Sequence, residues 1–297
     1  MDNLSLREFY LTNNNGYKIN IIEGSYINRP TAILINIHGI GSHFQSIINE
    51  NNYDNFISRD IYFSKSNIKS YAIEFQGHGK SEGPTCLVND FNDLINDIRI
   101  LSEYLNQRYP TVKKYILAES MGGNVAIRYC VKYNDISGLI LLSPMCGINK
   151  EILPNCCIRK FLIPLSYIIP NFPLATKHIS DKNIRNKKYN LLKEKCKFNY
   201  NGYIKLATGR ECLNASITLP HLLKKFKTPV IAFHDIDDKV TDPYITELFI
   251  NNCNSISKKF VPIKDSHHCL LLSTDDNMND PGYIMNMIKD WIKLKLI

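Results

Sequence analysis

The chain has 297 residues, 44% of them apolar and 22% charged, with 36 Lys and Arg against 28 Asp and Glu. That much Ile, Leu, Val, Phe and Tyr buries a continuous core and excludes a disordered chain, while no stretch supplies the roughly 20 unbroken apolar residues of a membrane span. The first residues carry acids early and lack the basic-then-apolar order of a secretory leader, so the expected location is cytoplasmic, and the nine scattered Cys are expected as reduced thiols.

Residues 9–12 and 17–22 flank Asn13-Asn14-Asn15-Gly16, whose tolerance of positive φ predicts a β-hairpin at a sheet edge. Residues 31–37 form a compact apolar run that empties into His38-Gly39-Ile40-Gly41, the pattern of a buried strand followed by a glycine loop. Residues 70–75 repeat it and end at Gly77-His78-Gly79. Phe91, Leu94, Ile95, Ile98, Leu101 and Leu105 share one face of a helix that Pro110 closes. A strand at 114–118, a helix at 121–133 and a strand at 138–143 follow. Such alternation implies a mostly parallel sheet with helices on both faces. It breaks after Pro144, where Pro154, Pro164, Pro170 and Pro173 are expected to cut the apolar material into short helices. It resumes with strands at 229–234 and 258–263, a helix that Asp242-Pro243 starts, and a last helix that Asp280-Pro281 starts. The expected organisation is one α/β domain in two parts, residues 1–146 and 227–297, interrupted by a helical cap at 147–226.

The densest chemical signal is Ala118-Glu119-Ser120-Met121-Gly122-Gly123, where a buried strand turns directly into a helix. This is the pattern of a nucleophile elbow, whose sharp turn projects the serine Oγ and whose small neighbours let strand and helix pack closely. Ala118 is slightly larger than the usual glycine, so modest crowding is expected. The Met121 N–H at the helix start is one candidate oxyanion donor, and the Ile40 N–H in the glycine loop is the other. A serine hydroxyl also needs a base, and the base a carboxylate, in the chain order Ser, acid, His. Asp235, Asp237 and Asp238 follow one late strand and His267 and His268 the next, all at the carboxyl edge of the sheet, and spacing does not choose between neighbours. His38 and His78 are expected to hold their loops.

On these residues the chain resembles the monoacylglycerol lipase and lysophospholipase branch of the α/β-hydrolase superfamily. His38-Gly39-Ile40-Gly41-Ser42-His43 is similar to its HGxGxH loop, Gly77-His78-Gly79-Lys80-Ser81-Glu82-Gly83 to its GHGxSxG segment, and Ser120-Met121-Gly122-Gly123 to its SMGG. Thr228-Pro229-Val230 leading to Asp237-Asp238-Lys239-Val240, and His268 after a short strand, complete the order. The resemblance implies an α/β-hydrolase fold with an inserted cap, Ser120 as nucleophile, His268 as base and Asp238 as its acid, with the Ile40 and Met121 N–H groups holding the oxyanion. It implies no metal and no cofactor. The implied substrate is a single-chain acyl lipid, a monoacylglycerol or lysophospholipid, cleaved at its carboxylic ester through an acyl-enzyme.

The chain departs from the branch in two places. Ala118-Glu119 stands where the family has Gly-His, and Ser42 and Ser46 stand where monoacylglycerol lipases carry the Glu and Arg that hold glycerol. That shifts weight toward a phosphodiester-bearing lysolipid or a less selective esterase. A serine aminopeptidase is the rival on the same trio, and it would need an acidic clamp for a free amine. A non-catalytic lipid-binding protein is the rival of another class, disfavoured by the intact Ser120, Asp238 and His268.

Residues 150–227 hold 16 of the 36 basic residues and 4 of the 28 acidic ones. The same stretch carries Ile158, Phe161, Leu162, Tyr167, Ile168 and Phe172. A segment so composed is expected to cover the Ser120 pocket, line an acyl-chain tunnel and rest on an anionic membrane surface, the alternative being a cap packed on its own core. No nucleic-acid motif accompanies the charge, so nucleic acid is not an expected partner.

Overall fold

The computed structural model describes residues 6–45, 55–174, 196–272 and 281–296. Strands β1 (Arg7–Thr12), β2 (Lys18–Glu23), β3 (Ala32–Ile37), β4 (Ile68–Ile73), β5 (Lys113–Glu119), β6 (Gly138–Leu142), β7 (Val230–Asp235) and β8 (Lys258–Ile263) form one sheet in the order 1-2-4-3-5-6-7-8. β1 and β2 form the expected antiparallel hairpin, with Gly16 at φ +80° in its turn, and β2 meets β4 antiparallel. The other neighbours are parallel. β3 lies between β4 and β5, so the chain reverses its order across the sheet there, and the loop leaving β3 opens beside the one leaving β5.

Among the described residues, seven α-helices accompany the sheet: α1 (Phe56–Ser64), α2 (Phe91–Arg108), α3 (Ser120–Tyr133), α4 (Cys156–Ile168), α5 (Leu206–Thr218), α6 (Pro243–Asn252) and α7 (Pro281–Leu294). Period-two alternation sends Ile33, Ile35, Ile116 and Leu139 to a core shared with α2 and α3, and Leu34, Leu117, Ile140 and Phe233 to a second core with α7. The sheet is therefore covered on both faces, in an α/β-hydrolase arrangement. Asp242 caps α6 as its sequence suggests, accepting from the Tyr244 N–H at 3.0 Å ahead of Pro243. The matching expectation for Asp280 lies outside the described residues.

Helix α1 carries no clear apolar stripe in the sequence. Its buried positions are Phe56, Arg59, Asp60 and Phe63, a correct helical spacing in which two of four residues are charged, so hydrophobic periodicity does not show it. Asp60 accepts from the Ser25 N–H at 2.8 Å, and burial, opposed by the Ser25 hydrogen bonds, pushes its carboxyl up. Pro164 corrects another expectation, because α4 runs through it rather than ending. The freed carbonyl belongs to Lys160, which is exposed, so solvent can satisfy it.

Among the described residues, the segment between β6 and β7 contains two unlike α-helices. α5 is built into the body of the protein: its Thr208 hydroxyl accepts from the Val88 N–H at 2.9 Å and donates to the Cys86 carbonyl at 3.0 Å, and Cys212 and Ala215 enter the main core. α4 buries only Ser166 among its residues. Arg210 of α5 fastens the two, donating to the Ser166 hydroxyl at 3.1 Å and to the Asn89 carbonyl at 2.9 Å while its guanidinium lies 4.0 Å from the centre of the Tyr167 ring. Among the described residues no helix is long and apolar enough to cross a membrane.

Candidate active site

Strand β5 ends at Glu119 and α3 begins at Ser120, with no residue between. Ser120 absorbs the turn at φ +50°, a strained value for a residue with a side chain. The turn closes only because small residues surround it. A Cβ on Gly122 would sit 2.4 Å from the His38 carbonyl oxygen, and one on Gly39 would sit 2.9 Å from the Ser120 Cβ. Ala118 fits, fully buried and in register with Ile37 and Leu141. Glu119 forms an ion pair with the buried Arg59 of α1, whose guanidinium lies 5.6 Å from the centre of the Phe44 ring. The residue that breaks the family pattern thus ties the elbow to a helix and to the segment after the glycine loop.

Three groups from distant stretches meet at this corner. The Ser120 hydroxyl lies 3.0 Å from His268 Nε2, and His268 Nδ1 lies 2.7 Å from Asp238 Oδ2. An ionised carboxylate only accepts, so Nδ1 carries the proton and Nε2 is left to accept from the serine. Of the competing residues, Asp237 is exposed, and Asp235 is engaged elsewhere, accepting from the backbone N–H groups of Ser266 at 2.6 Å and His267 at 2.8 Å. Asp235 therefore shapes the loop that delivers His268, a loop in which Asp265 and His267 both hold positive φ.

Asp238 is buried and well supplied with donors. Oδ1 accepts from the N–H groups of Val240 at 2.7 Å and Thr241 at 3.2 Å. Oδ2 accepts from His268, from His234 Nε2 at 3.0 Å and from the Thr241 hydroxyl at 2.9 Å. Burial pushes this carboxyl up, but the charge of His268 and the hydrogen bonds from His234 and His268 outweigh it and hold it well below the usual carboxylate range.

The two glycine loops are locked together by Glu74, which the sequence did not single out, and by His38 and His78, which it did. Glu74, fully buried, accepts from the N–H groups of Phe44 at 2.9 Å and Lys80 at 2.8 Å and from Asn20 at 2.9 Å. Its sequence signal is a lone acid between Ile73 at the end of β4 and Phe75. His38 accepts the Phe75 N–H on Nε2 at 3.1 Å and donates from Nδ1 to the Gly39 carbonyl at 2.7 Å. His78 Nδ1 lies 3.0 Å from the Gln76 carbonyl. Burial lowers both imidazoles, His38 more strongly, and both act as neutral struts, as expected for loop-holding residues.

Of the two oxyanion candidates, Met121 lies in the first turn of α3, where the helix supplies no acceptor for its N–H. Ile40 is in the loop whose Gly39 packs on Ser120. Ser42 lies in the same loop, its N–H donating to the Gly39 carbonyl at 3.3 Å, and the Tyr200 N–H donates to the Gly41 carbonyl at 3.1 Å, so the segment entering α5 leans on this loop. Ser46 lies outside the described residues.

A family model described as serine aminopeptidase, S33 matches residues 28–275. Among curated proteins, the monoglyceride lipase of Rattus norvegicus is 22% identical over 268 residues, covering 90% of this chain and 84% of that protein. The monoglyceride lipase homolog of monkeypox virus is 24% identical over 274 residues, covering 90% and 91%. Among solved structures, a soluble variant of monoglyceride lipase from Saccharomyces cerevisiae, in complex with a substrate analog, superposes with a TM-score of 0.80 at 19% identity over 99% of this chain and 96% of that one.

Proposed function

We propose, on the premise that this chain belongs to the serine aminopeptidase, S33 family, that it is a serine hydrolase cleaving the carboxylic ester of single-chain acyl lipids. The observation that carries this reading is the unbroken hydrogen-bonded chain from the Ser120 hydroxyl through His268 to Asp238. Ser120 attacks the ester carbonyl as His268 Nε2 takes its proton, and Asp238 keeps the imidazole in the tautomer that can do so. The Ile40 and Met121 N–H groups receive the developing oxyanion, where each donor contributes about 10²- to 10³-fold in rate. His268 then returns the proton to the leaving alcohol, and water, activated the same way, releases the fatty acid from Ser120.

Two observations support a lipid rather than a peptide substrate. The relatives just described are named a monoglyceride lipase and a monoglyceride lipase homolog, and residues 150–227 offer 4 acids against 16 bases, a poor clamp for a free amine. Ser42 in place of an acid at the glycerol-holding position favours a lysophospholipid, or a broad range of esters, over a strict monoacylglycerol preference. We read residues 147–226 as the cap. The exposed Phe161, Tyr167 and Ile168 of α4, with the basic excess around them, support its resting on an anionic bilayer.

The test is turnover by wild type and Ser120→Ala on monoacylglycerols, lysophosphatidylcholines, p-nitrophenyl esters and aminoacyl-nitroanilides. Hydrolysis of the acyl lipids that vanishes in Ser120→Ala is the expected result, and turnover of the nitroanilides alone would sink the reading. For the membrane contact, the expectation is salt-sensitive co-sedimentation with anionic vesicles that is weakened by Arg159→Gln with Lys160→Gln. Unchanged sedimentation would remove that part.

A further inference from the structure

We propose that His234 is a positioning residue for the reaction: a second, fully buried imidazole that shares the carboxylate oxygen Oδ2 of Asp238 with His268 and sets how strongly that carboxylate holds the base. The inference rests on the triad of Ser120, His268 and Asp238 set out above.

His234 is the penultimate residue of β7 and is 0% exposed. A strand interior buried on both faces has no need of an imidazole, so its partners are informative. Nε2 lies 3.0 Å from Asp238 Oδ2, and Nδ1 lies 2.9 Å from the Thr246 hydroxyl on α6. The carboxylate only accepts, which places the His234 proton on Nε2 and leaves Nδ1 to accept from Thr246. Thr246 is itself fully buried, so it acts as a fixed lock on that tautomer. The catalytic oxygen therefore faces one imidazole that must exchange protons with Ser120 and another that is held out of exchange.

The consequence is electrostatic as well as geometric. Val240 and Thr241 N–H groups already fix Oδ1, so the carboxylate keeps its rough orientation without His234. His234 instead draws charge from Oδ2, the atom that binds His268 Nδ1–H. Without that donor Oδ2 is more negative, it favours the charged form of His268, and the acid limb of the rate profile moves to higher pH. The titratable groups facing this cluster are Asp238 and His268 from the loops after β7 and β8, and the Cys146 thiol, which reaches Thr246 and is pushed up to about 12 by burial.

The experiment compares wild type with His234→Leu, which removes the donor, His234→Gln, whose amide N–H reaches a similar point, and Thr246→Val, which removes the tautomer lock. Each is measured for kcat and KM on a soluble p-nitrophenyl ester from pH 5 to 9, with thermal melting as the check on folding and fluorophosphonate labelling of Ser120 as the check on the triad. The expected result is an acid limb displaced upward by about half a unit or more in His234→Leu, so that kcat below the limb falls about threefold or more, with KM within about twofold. His234→Gln recovers most of the loss and Thr246→Val moves the limb the same way by less. If His234→Leu fails to fold, Thr246→Val decides. A folded variant lacking the donor or its lock that keeps the wild-type limb overturns the inference, and so does a loss that Gln does not restore. Wild type that does not label at Ser120 fails earlier, at the triad itself.

Discussion

The carboxyl edge of the sheet and helix α4 are built on opposite terms. At the sheet edge the polar groups around Ser120 are enclosed and bonded: Asp238 receives five donors, Glu74 joins two loops, and small residues let backbone approach within contact distance of Ser120. On α4 the apolar side chains are the exposed ones, with Phe161 70% and Ile168 77% accessible. The first region is over-determined, so small changes there should cost chemistry. The second is tied to α5 by Arg210 and by backbone bonds just past its end, so changes on its outer face should cost only what that face touches.

The largest expected effect is at the elbow. Ser120→Ala should lower ester turnover by about 10⁴-fold or more, and Asp238→Asn by a comparable factor, because an amide N–H facing His268 would favour the wrong tautomer. Steady-state kinetics on a soluble ester measures both, and a loss below about tenfold in either would break the contrast. Next is Gly39→Ala, whose new Cβ meets the Ser120 Cβ at 2.9 Å and must push the glycine loop outward. The expected outcome is a kcat about 10²-fold lower with KM little changed, as for loss of an oxyanion donor.

The enclosed region should also carry a pH signature. Asp97 on α2 is fully buried and accepts from the Gln76 N–H at 2.9 Å and from Asn13 at 2.8 Å. Burial outweighs those donors and raises its carboxyl to about 7. Because the folded value lies above the unfolded one, this group's stabilisation is complete below about pH 4 and is lost as pH rises through about 7. Asp97→Asn should therefore flatten the fall in unfolding free energy across that window, by about 2 kcal/mol, read from urea titrations at pH 4.5 and 8. Equal slopes in both proteins would count against it. The smallest effect belongs to α4. Phe161→Ser with Ile168→Ser should leave soluble-ester kcat/KM within about twofold while weakening vesicle binding about tenfold or more.

Much of this was legible in the sequence, for identifiable reasons. Apolar runs that empty into glycine mark β3 and β4, and a strand that meets a helix at Ser-Met-Gly-Gly marks the elbow, since backbone geometry there tolerates few residue types. Asp238 and His268 could be placed on the right loops but not separated from Asp235, Asp237 and His267 by spacing, because only the turn of each loop decides which side chain faces inward. Those turns depend on residues such as Asp235, whose carboxylate holds the backbone of Ser266 and His267. Helix α1 stayed hidden because Arg59 and Asp60 occupy its buried stripe, and their partners, Glu119 and Ser25, lie far along the chain. His234 and Glu74 were hidden likewise: His234 is the penultimate residue of β7 and Glu74 follows β4, and the meaning of each lies in what surrounds it in space.

The most direct test of the account is to treat the protein with a fluorophosphonate and map the modified peptide by mass spectrometry. The prediction is one adduct per chain, on Ser120, formed about 10³-fold more slowly or not at all when His268 is replaced by Ala. A folded protein that takes up no adduct, or carries it on another residue, would contradict it.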